Sequence, residues 1–288
     1  MTVSQGTRQG SIGIGELARR TGISVRTIRF YCDEGVLETA RNSVGHRVFD
    51  SDTAVRRLAV VRRLRGLGLG LGAITQVLAG ERTVTEAVAA ERGAVDAELA
   101  ALARRRTALL AVEDPGRGYR TVLAFWARML EPLPPPLFGA FAEMDVPNPA
   151  DDWETGRVLA FGELAATIAD PGVGAVISRQ LWRTDPDEIR HPGALLIGLA
   201  EACQDVGGLL LANEPPRPGP ELDRFVAAHA SGRGVRDTPG FRRRLLSGAV
   251  DSDPRVQRYW RLTGEITGTV TSGGAQHWLA RALAESSC

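Results

Sequence analysis

Apolar residues near the start of the chain are spaced so as to form two short helices joined by a tight turn. The first helix has one apolar face and is predicted to end at Gly22. Ser24 is a residue type that commonly caps a helix, which predicts a second helix over residues 25–33. The apolar face of the first helix is formed by Ile14, Leu17 and Ala18. A helix, a glycine turn and a capped helix are typical of the helix-turn-helix motif.

The second predicted helix separates polar from apolar side chains. Its polar side carries Arg26, Thr27 and Arg29, and its inward side carries Val25, Ile28 and Cys32. An arginine-bearing helix after a tight turn suits the DNA major groove, because guanidinium groups donate paired hydrogen bonds to guanine edges and phosphates. We therefore expect Arg26, Thr27 and Arg29 to contact DNA, with Ser24 at the start of the helix.

A short hairpin, or wing, is predicted next, followed by two helices. The tip of the wing holds Arg41, His46 and Arg47. A helix over residues 50–67 has apolar residues at every third position and exposes Arg56, Arg57, Arg62, Arg63 and Arg65. A glycine-dense break over residues 66–72 precedes a short helix over residues 73–79. No alternating strand pattern is found outside the wing, so no other strand is expected.

A long helix is predicted over residues 83–113, which contain no proline and one glycine. About thirty helical residues would span ~45 Å. Apolar residues recur there at steps of seven, a spacing typical of a coiled coil. The alternative is an amphipathic helix that packs on its own domain. The predicted dimerisation residues are Val88, Val95, Leu99, Leu102 and Leu109.

The rest of the chain is predicted to be helical, with proline clusters between the helices. The candidate helices cover residues 119–130, 152–168, 174–182, 194–212, 221–230, 240–248 and 254–285, the last with a break near residues 273–274. The expected fold is mainly α. It comprises a winged helix-turn-helix at residues 12–80, a dimerisation helix at 81–113 and an all-helical effector domain at 117–288, after a disordered segment at 1–11.

Basic charge is concentrated at the start of the chain. Residues 1–80 hold 12 Arg and 6 acidic residues, a net charge of +6, and the remainder carries −5. A basic head on a mildly acidic body suits a nucleic-acid-binding module fused to a second domain. The longest apolar segments, residues 194–199 and 209–212, fall short of the ~20 residues that cross a bilayer. A cytoplasmic protein with no membrane partner is therefore expected.

Residues 12–80 resemble the MerR family of bacterial transcription regulators. The resemblance is carried by IGELARRTGISVRTIRFYCDEGVL, then GHRVF, then RRLAVVRRLRGLGLGLGAITQVL, in order and with matching spacing, and it extends through the long helix. It implies a homodimer built by an antiparallel coiled coil, which binds an inverted repeat in double-stranded promoter DNA. It also implies that the dimer distorts the promoter so that RNA polymerase can engage, often when an effector binds the C-terminal part.

The resemblance also implies roles for individual residues. Arg26, Arg29 and Tyr31 match recognition-helix positions that touch bases and phosphates. Arg41 and Arg47 match wing positions that touch the DNA backbone, and Arg62 and Arg65 lie on the helix of a second wing. Two residues depart from the family pattern: His46 replaces a tyrosine, and Cys32 lies where a carboxylate is common.

Residue types in the C-terminal part favour an organic effector over a metal. No Cys or His lies between Arg47 and Arg190, so no thiolate pair is available for a soft ion, and no metal or cofactor is expected. All five Trp lie beyond residue 113. Aromatic walls with a few carboxylates can bind planar or cationic molecules. The candidate effector residues are Trp126, Phe141, Trp153, Phe161 and Trp260.

These observations predict a dimeric, ligand-responsive DNA-binding regulator. One alternative is a regulator or architectural protein whose C-terminal domain docks a protein partner instead of a small molecule. A C-terminal enzyme fused to a DNA-binding head is a third possibility. No nucleophile elbow, Walker loop or HExxH motif is present, so no catalytic residues and no enzyme activity are expected.

Overall fold

The computed structural model describes residues 10–42, 44–150 and 152–286. It divides into two compact units, Met1–Leu99 and Ala100–Cys288. The boundary therefore falls inside the long helix that the sequence treats as a separate element. Most of the predicted disordered segment, residues 1–9, lies outside the described residues, whereas Ser11 already belongs to a strand.

The N-terminal unit combines helices with a small antiparallel sheet. The helices are α1 (Ile14–Thr21), α2 (Val25–Asp33), α3 (Ser51–Gly66), α4 (Leu71–Ala79) and the first part of α5 (Val84–Glu113). The strands are β1 (Ser11–Gly13), β2 (Ala40–Arg41) and β3 (Arg47–Asp50), in the order β1-β3-β2.

Strand β1 corrects the expectation that the wing contains the only strands. It pairs antiparallel with β3, with Ile12 opposite Phe49 and Gly13 opposite Val48. Three residues are too few to show an alternating pattern, so this strand depends on its partner. The pairing anchors the base of the wing to the start of α1.

Two small apolar clusters hold the N-terminal unit together. The first contains Leu17, Ile28, Leu37, Phe49, Ala54 and Leu58, and the second contains Val36, Val61, Leu64, Leu69, Ile74 and Ala87. Tyr31 of α2 packs against both clusters. Burial of Ala87 in the second cluster makes the first turns of α5 part of this unit.

The described residues of the C-terminal unit form helices joined by loops. Its helices are the second part of α5, α6 (Pro115–Met129), α7 (Pro135–Asp145), α8 (Thr155–Ile168), α9 (Pro171–Trp182), α10 (Pro192–Leu211), α11 (Pro220–Arg233), α12 (Pro239–Ser247), α13 (Pro254–Thr267) and α14 (Ser272–Ser286). A short 3₁₀ turn, Pro186–Glu188, follows α9. One core cluster extends through these helices.

Helix α7 corrects the prediction that proline clusters lie only between helices, because it begins inside the cluster at residues 132–136. Proline is well tolerated in the first turn of a helix, where its missing N–H has no helical partner. Pro135 begins α7, and six other helices of this unit also begin with proline. The break predicted near residues 273–274 lies slightly earlier, between α13 and α14.

The second part of α5 is built into the C-terminal unit. Ala111 is only 1% exposed and belongs to the core of this unit. The Arg104 Nη1 atom donates a hydrogen bond to Asp170 Oδ2 at 3.2 Å. The unit therefore starts at Ala100, where the sequence-based division starts it at residue 117.

Helix α10 is long and apolar enough to cross a membrane, judged by its length and composition alone. Its apolar residues fall in the predicted helix over residues 194–212, where the apolar segments 194–199 and 209–212 are each too short to span a bilayer. In the structure α10 packs against α11 and α14, and its Leu195, Ala202 and Val206 have no exposed surface. The inward face of α10 therefore belongs to the core, whereas Leu211 at its end is 72% exposed.

Candidate functional site

The predicted helix-turn-helix is formed by α1, a glycine turn and α2. Gly22 adopts the left-handed conformation (φ 69°), which glycine reaches without the clash of a Cβ atom, and its N–H donates to Ala18 O at 2.9 Å. Ser24 Oγ accepts a hydrogen bond from the Thr27 N–H at 3.1 Å, which caps α2. Ile28 is fully buried in the cluster that contains Leu17 and fixes the inward face of α2.

The outward face of α2 presents two free guanidinium groups. Arg26 and Arg29 are exposed, and within the described residues neither makes a hydrogen bond or an ion pair. The Thr27 hydroxyl shares a 2.8 Å hydrogen bond with Ser24 Oγ, so it is held at the start of the helix. Phe30, which the sequence analysis did not single out, is 51% exposed. A free cationic face on a rigid helix can donate to an anionic partner without breaking internal contacts.

The wing is connected to α2 by an ion pair. Arg47 Nη2 donates to Asp33 Oδ1 at 2.8 Å, so this predicted DNA contact already has a partner within the chain. Tyr31 is half-buried between the two apolar clusters. Cys32 is also half-buried, and burial raises the pKa of its thiol. These contacts hold the base of the wing against the end of α2.

The tip of the wing remains open. Asn42 Oδ1 accepts hydrogen bonds from the Val44 and His46 N–H groups, at 3.1 and 2.8 Å. Arg41 Nη1 donates to Gly45 O at 3.1 Å. The side chains of Arg41 and His46 are exposed. Charge is thus presented on a turn whose backbone is fixed by its own hydrogen bonds.

The arginines of α3 divide into structural and free groups. Arg57 Nε donates to Val36 O at 2.7 Å, so this residue, predicted to be exposed, ties α3 to the segment after α2. Arg65 Nη1 donates to Leu69 O at 2.9 Å and supports the turn before α4. Arg62 is exposed and makes no ion pair or hydrogen bond within the described residues. Of the two predicted second-wing contacts, Arg62 is therefore the freer.

Four of the five predicted dimerisation residues are exposed on α5. In the N-terminal unit Val95 is 45% and Leu99 60% exposed, and in the C-terminal unit Leu102 is 52% and Leu109 60% exposed. Val88 is instead half-buried against the second cluster of the head. Each unit therefore exposes two apolar residues of its own part of α5.

The C-terminal unit contains a cavity of about 280 Å³. Three predicted effector residues, Trp126, Phe141 and Trp260, lie in its wall. The ring centroids of Trp126 and Phe141 are 5.1 Å apart, and those of Trp126 and Trp260 are 5.2 Å apart. The wall therefore contains a continuous aromatic cluster with Trp126 at its centre.

Two contacts behind the wall fix this aromatic cluster. Trp126 Nε1 donates to the hydroxyl of buried Tyr259 at 2.6 Å. The ring of Trp260 lies directly on the backbone of Gly273, where an added Cβ atom would come within 2.0 Å of the indole. Only glycine permits so close an approach without movement of the ring.

The other two predicted effector residues do not reach the cavity. Phe161 is fully buried in the core, and Trp153 packs edge-on against it with 5.5 Å between ring centroids. None of the described residues in the cavity wall is charged. Of the planar or cationic ligands expected from the sequence, a cation would find no carboxylate in this wall.

A buried carboxylate lies behind the cavity wall. Asp145 has no exposed surface, and its oxygens accept hydrogen bonds from the N–H and hydroxyl of Ser272, at 2.9 and 2.5 Å. Burial raises the pKa of Asp145 to about 6. Burial, with a contribution from Asp145, raises the pKa of the Cys203 thiol to about 12. Cys203 is thus an unreactive wall residue at neutral pH.

Several wall residues escaped the sequence analysis. Leu137 and Met144 come from the unpredicted helix α7, and Gln204 and Gln276 come from α10 and α14. Only recognition of the proline helix starts could have placed α7. Among the described residues no group of three or more His, Cys, Asp or Glu side chains could hold a metal ion.

Comparison with known proteins identifies the family of the N-terminal helix-turn-helix unit. The family model described as MerR HTH family regulatory protein matches residues 13–81. The chain is 35% identical over 102 residues to the HTH-type transcriptional regulator MerD of Shigella flexneri, a match that covers 35% of the chain and 82% of MerD. It is 39% identical over 74 residues to the nodulation protein NolA of Bradyrhizobium diazoefficiens, covering 25% of the chain and 31% of NolA.

A further relative is the HTH-type transcriptional regulator HmrR of Rhizobium leguminosarum bv. viciae, at 37% identity over 68 residues, with 24% of the chain and 52% of HmrR covered. The chain spans only about a third of the length of NolA. No solved structure matches the chain. With the helix-turn-helix and the β2–β3 wing in place, and 82% of MerD covered at 35% identity, the chain belongs to the MerR family of helix-turn-helix transcription regulators.

Proposed function

We propose that the chain acts as a homodimer on an inverted-repeat promoter site and that a small organic molecule in the C-terminal cavity controls it. The observation that carries the DNA-binding part is the outward face of α2. There Arg26 and Arg29 are exposed and have no partner among the described residues, on a helix capped by Ser24 and fixed by Ile28. Such a helix can enter the major groove with its guanidinium groups ready to pair with guanine edges.

The dimer part rests on the exposed apolar residues of α5. Pairing two α5 helices antiparallel would remove Val95, Leu99, Leu102 and Leu109 from water. A dimer held by rigid helices presents two heads at a fixed separation. Promoter DNA whose half-sites do not match that separation must bend or untwist, at a cost of ~1–6 kcal/mol for smooth bending. The distorted promoter is the form that RNA polymerase would engage.

The control part rests on the aromatic cavity. A ligand can shift the promoter geometry only if it binds one arrangement of the dimer more tightly than another. Trp126, Phe141 and Trp260 offer the stacking surface that such a ligand would use. Leu137 and Met144, exposed by 38 and 39% beside the cavity, are the observation that favours protein docking as the second candidate. A cytoplasmic location and no enzymatic activity follow from the regulator role.

The decisive experiment is selection of a binding site from random duplex DNA, followed by titration of variants. Arg29→Ala should weaken binding to the selected site by about 1–3 kcal/mol, the discrimination from one bidentate base contact. Arg281→Ala is the matched control, because Arg281 is an exposed arginine on α14 of the other unit. Equal binding by wild type and Arg29→Ala would show that α2 is not the recognition helix.

A further inference from the structure

The charge of the cavity wall restricts the ligand class. All described residues that line the cavity are uncharged. The nearby carboxylate of Asp145 is turned to Ser272, which donates to both of its oxygens. The rise in the pKa of Asp145 to about 6 indicates surroundings that disfavour charge. An ionised ligand would lose its hydration there without gaining a counter-ion.

The aromatic wall presents ring faces to a ligand, and its central residue, Trp126, has no free N–H to donate. The N–H of Trp126 is already used by Tyr259, so Trp126 can contact a ligand only through its ring. Phe141 and Trp260 flank it at centroid distances of 5.1 and 5.2 Å. Stacked or edge-on contact with these rings favours a planar ligand.

The polar part of the wall is neutral and free. Gln204 and Gln276 line the cavity, and the structure gives neither side chain a hydrogen bond within the described residues. A carboxamide provides two donors and an acceptor oxygen, so the pair can recognise a carbonyl, hydroxyl or amide group. The volume of about 280 Å³ lies near the small end of ligand pockets, which span ~300–1,000 Å³.

We propose that the effector is a neutral, planar and mostly apolar molecule of one or two fused rings, which stacks on Trp126 and Trp260 and hydrogen-bonds to Gln204 or Gln276. This inference rests on the proposed function, because it names the ligand class for the same cavity. Of the planar or cationic molecules expected from the sequence, it retains the planar ones and leaves out the cations.

The test is equilibrium dialysis of the full chain against three probes with one ring system. Prodan is a neutral naphthyl ketone, and its two counterparts carry a trimethylammonium or a sulfonate group in place of the dimethylamino group. We expect saturable binding of prodan at least ten-fold tighter than that of either charged probe. A charged probe that binds as tightly as prodan, or no saturable binding of any probe, overturns the proposed class.

Variants locate the bound probe. Ala140→Trp, at an exposed position of the wall, should abolish prodan binding, and Ala227→Trp, at an exposed position of α11 outside the wall, should not. Gln276→Leu with Gln204→Leu should weaken it about three- to ten-fold, as expected for loss of one neutral hydrogen bond. If Ala140→Trp binds prodan as wild type does, the site is elsewhere and the inference fails.

Addition of a charge to the wall tests the preference of the cavity for a neutral ligand. Met144→Glu adds a carboxylate to the wall and should shift preference from prodan towards the trimethylammonium probe, whereas Met144→Gln should not. Unchanged selectivity in Met144→Glu would contradict an electrostatic basis.

Affinity for the selected DNA site is measured separately with saturating prodan. Prodan that binds but leaves DNA binding and distortion unchanged overturns the effector part of the proposed function and leaves the ligand class standing. A charged probe that binds as tightly as prodan and alters DNA binding overturns the ligand class and supports the effector part of the proposed function.

Discussion

Asp145→Asn should remove the contribution of one buried carboxyl to the pH dependence of the C-terminal unit's stability. The carboxyl of Asp145 is fully buried, and its pKa rises from 3.8 to about 6 because burial penalises the ionised form. The folded chain therefore binds this proton more tightly than the unfolded chain. The associated stability is fully present below pH 3.8, is lost as the pH rises towards 6, and stays lost above it.

The size of this effect follows from the shift. A displacement from 3.8 to about 6 corresponds to about 3 kcal/mol, at ~1.36 kcal/mol per pKa unit. Asparagine is neutral at every pH and can still accept one hydrogen bond from Ser272, whose hydroxyl can turn to accept from the new amide. Part of this stability is already lost at pH 4, so the free energy of unfolding of Asp145→Asn relative to wild type should rise by about 2.4 kcal/mol between pH 4 and pH 7.

Urea unfolding of the full chain, followed by tryptophan fluorescence, measures this difference. All five Trp lie beyond residue 113, so the signal reports the C-terminal unit. Subtracting the two curves removes the contributions of other titrating groups. Asp152→Asn is the matched control, because Asp152 is an exposed carboxylate of the same unit. Parallel curves for wild type and Asp145→Asn would refute the reasoning.

Three further perturbations test separate parts of the structure. Gly273→Ala should lower the free energy of unfolding by about 1–3 kcal/mol and weaken prodan binding, because the added Cβ would collide with the Trp260 ring. Normal stability and normal prodan binding would show that the ring does not lie on residue 273. Val95→Glu with Leu102→Glu should yield a monomer in sedimentation, and an unchanged mass would reject the α5 interface. Burial keeps the pKa of His229 well below 6.5, so wild-type stability should fall as the pH falls below that value. His229→Gln should reduce this fall. An unchanged loss of unfolding free energy below pH 6.5, measured by urea unfolding, would contradict the prediction.

The amino-acid sequence by itself determined the helix-turn-helix. Gly22 and Ser24 act within a few residues of their own positions, through a left-handed turn and a side-chain cap. The spacing of Leu17 and Ile28 then fixes which faces are buried. Such signals are local, so they survive without knowledge of the rest of the fold. Strand β1 is the exception in this unit, since it exists only by pairing with β3.

Only the tertiary structure decided which arginines are free. Arg29, Arg47 and Arg57 are equivalent as residue types, yet Arg47 pairs with Asp33 and Arg57 donates to Val36 O. Their partners lie 14 and 21 residues away in the chain. No local pattern reports whether a guanidinium already has a partner at that distance.

The cavity likewise depends on packing between distant helices. Trp126, Phe141 and Trp260 come from α6, α7 and α13, whereas Phe161 of α8 points into solid core. All are aromatic residues on helices, and their periodicity predicts burial alike. The packing of the helices decides whether a buried ring contacts another side chain or an open space. The sequence therefore predicts the aromatic residues, and only the tertiary structure shows that three of them line an uncharged cavity.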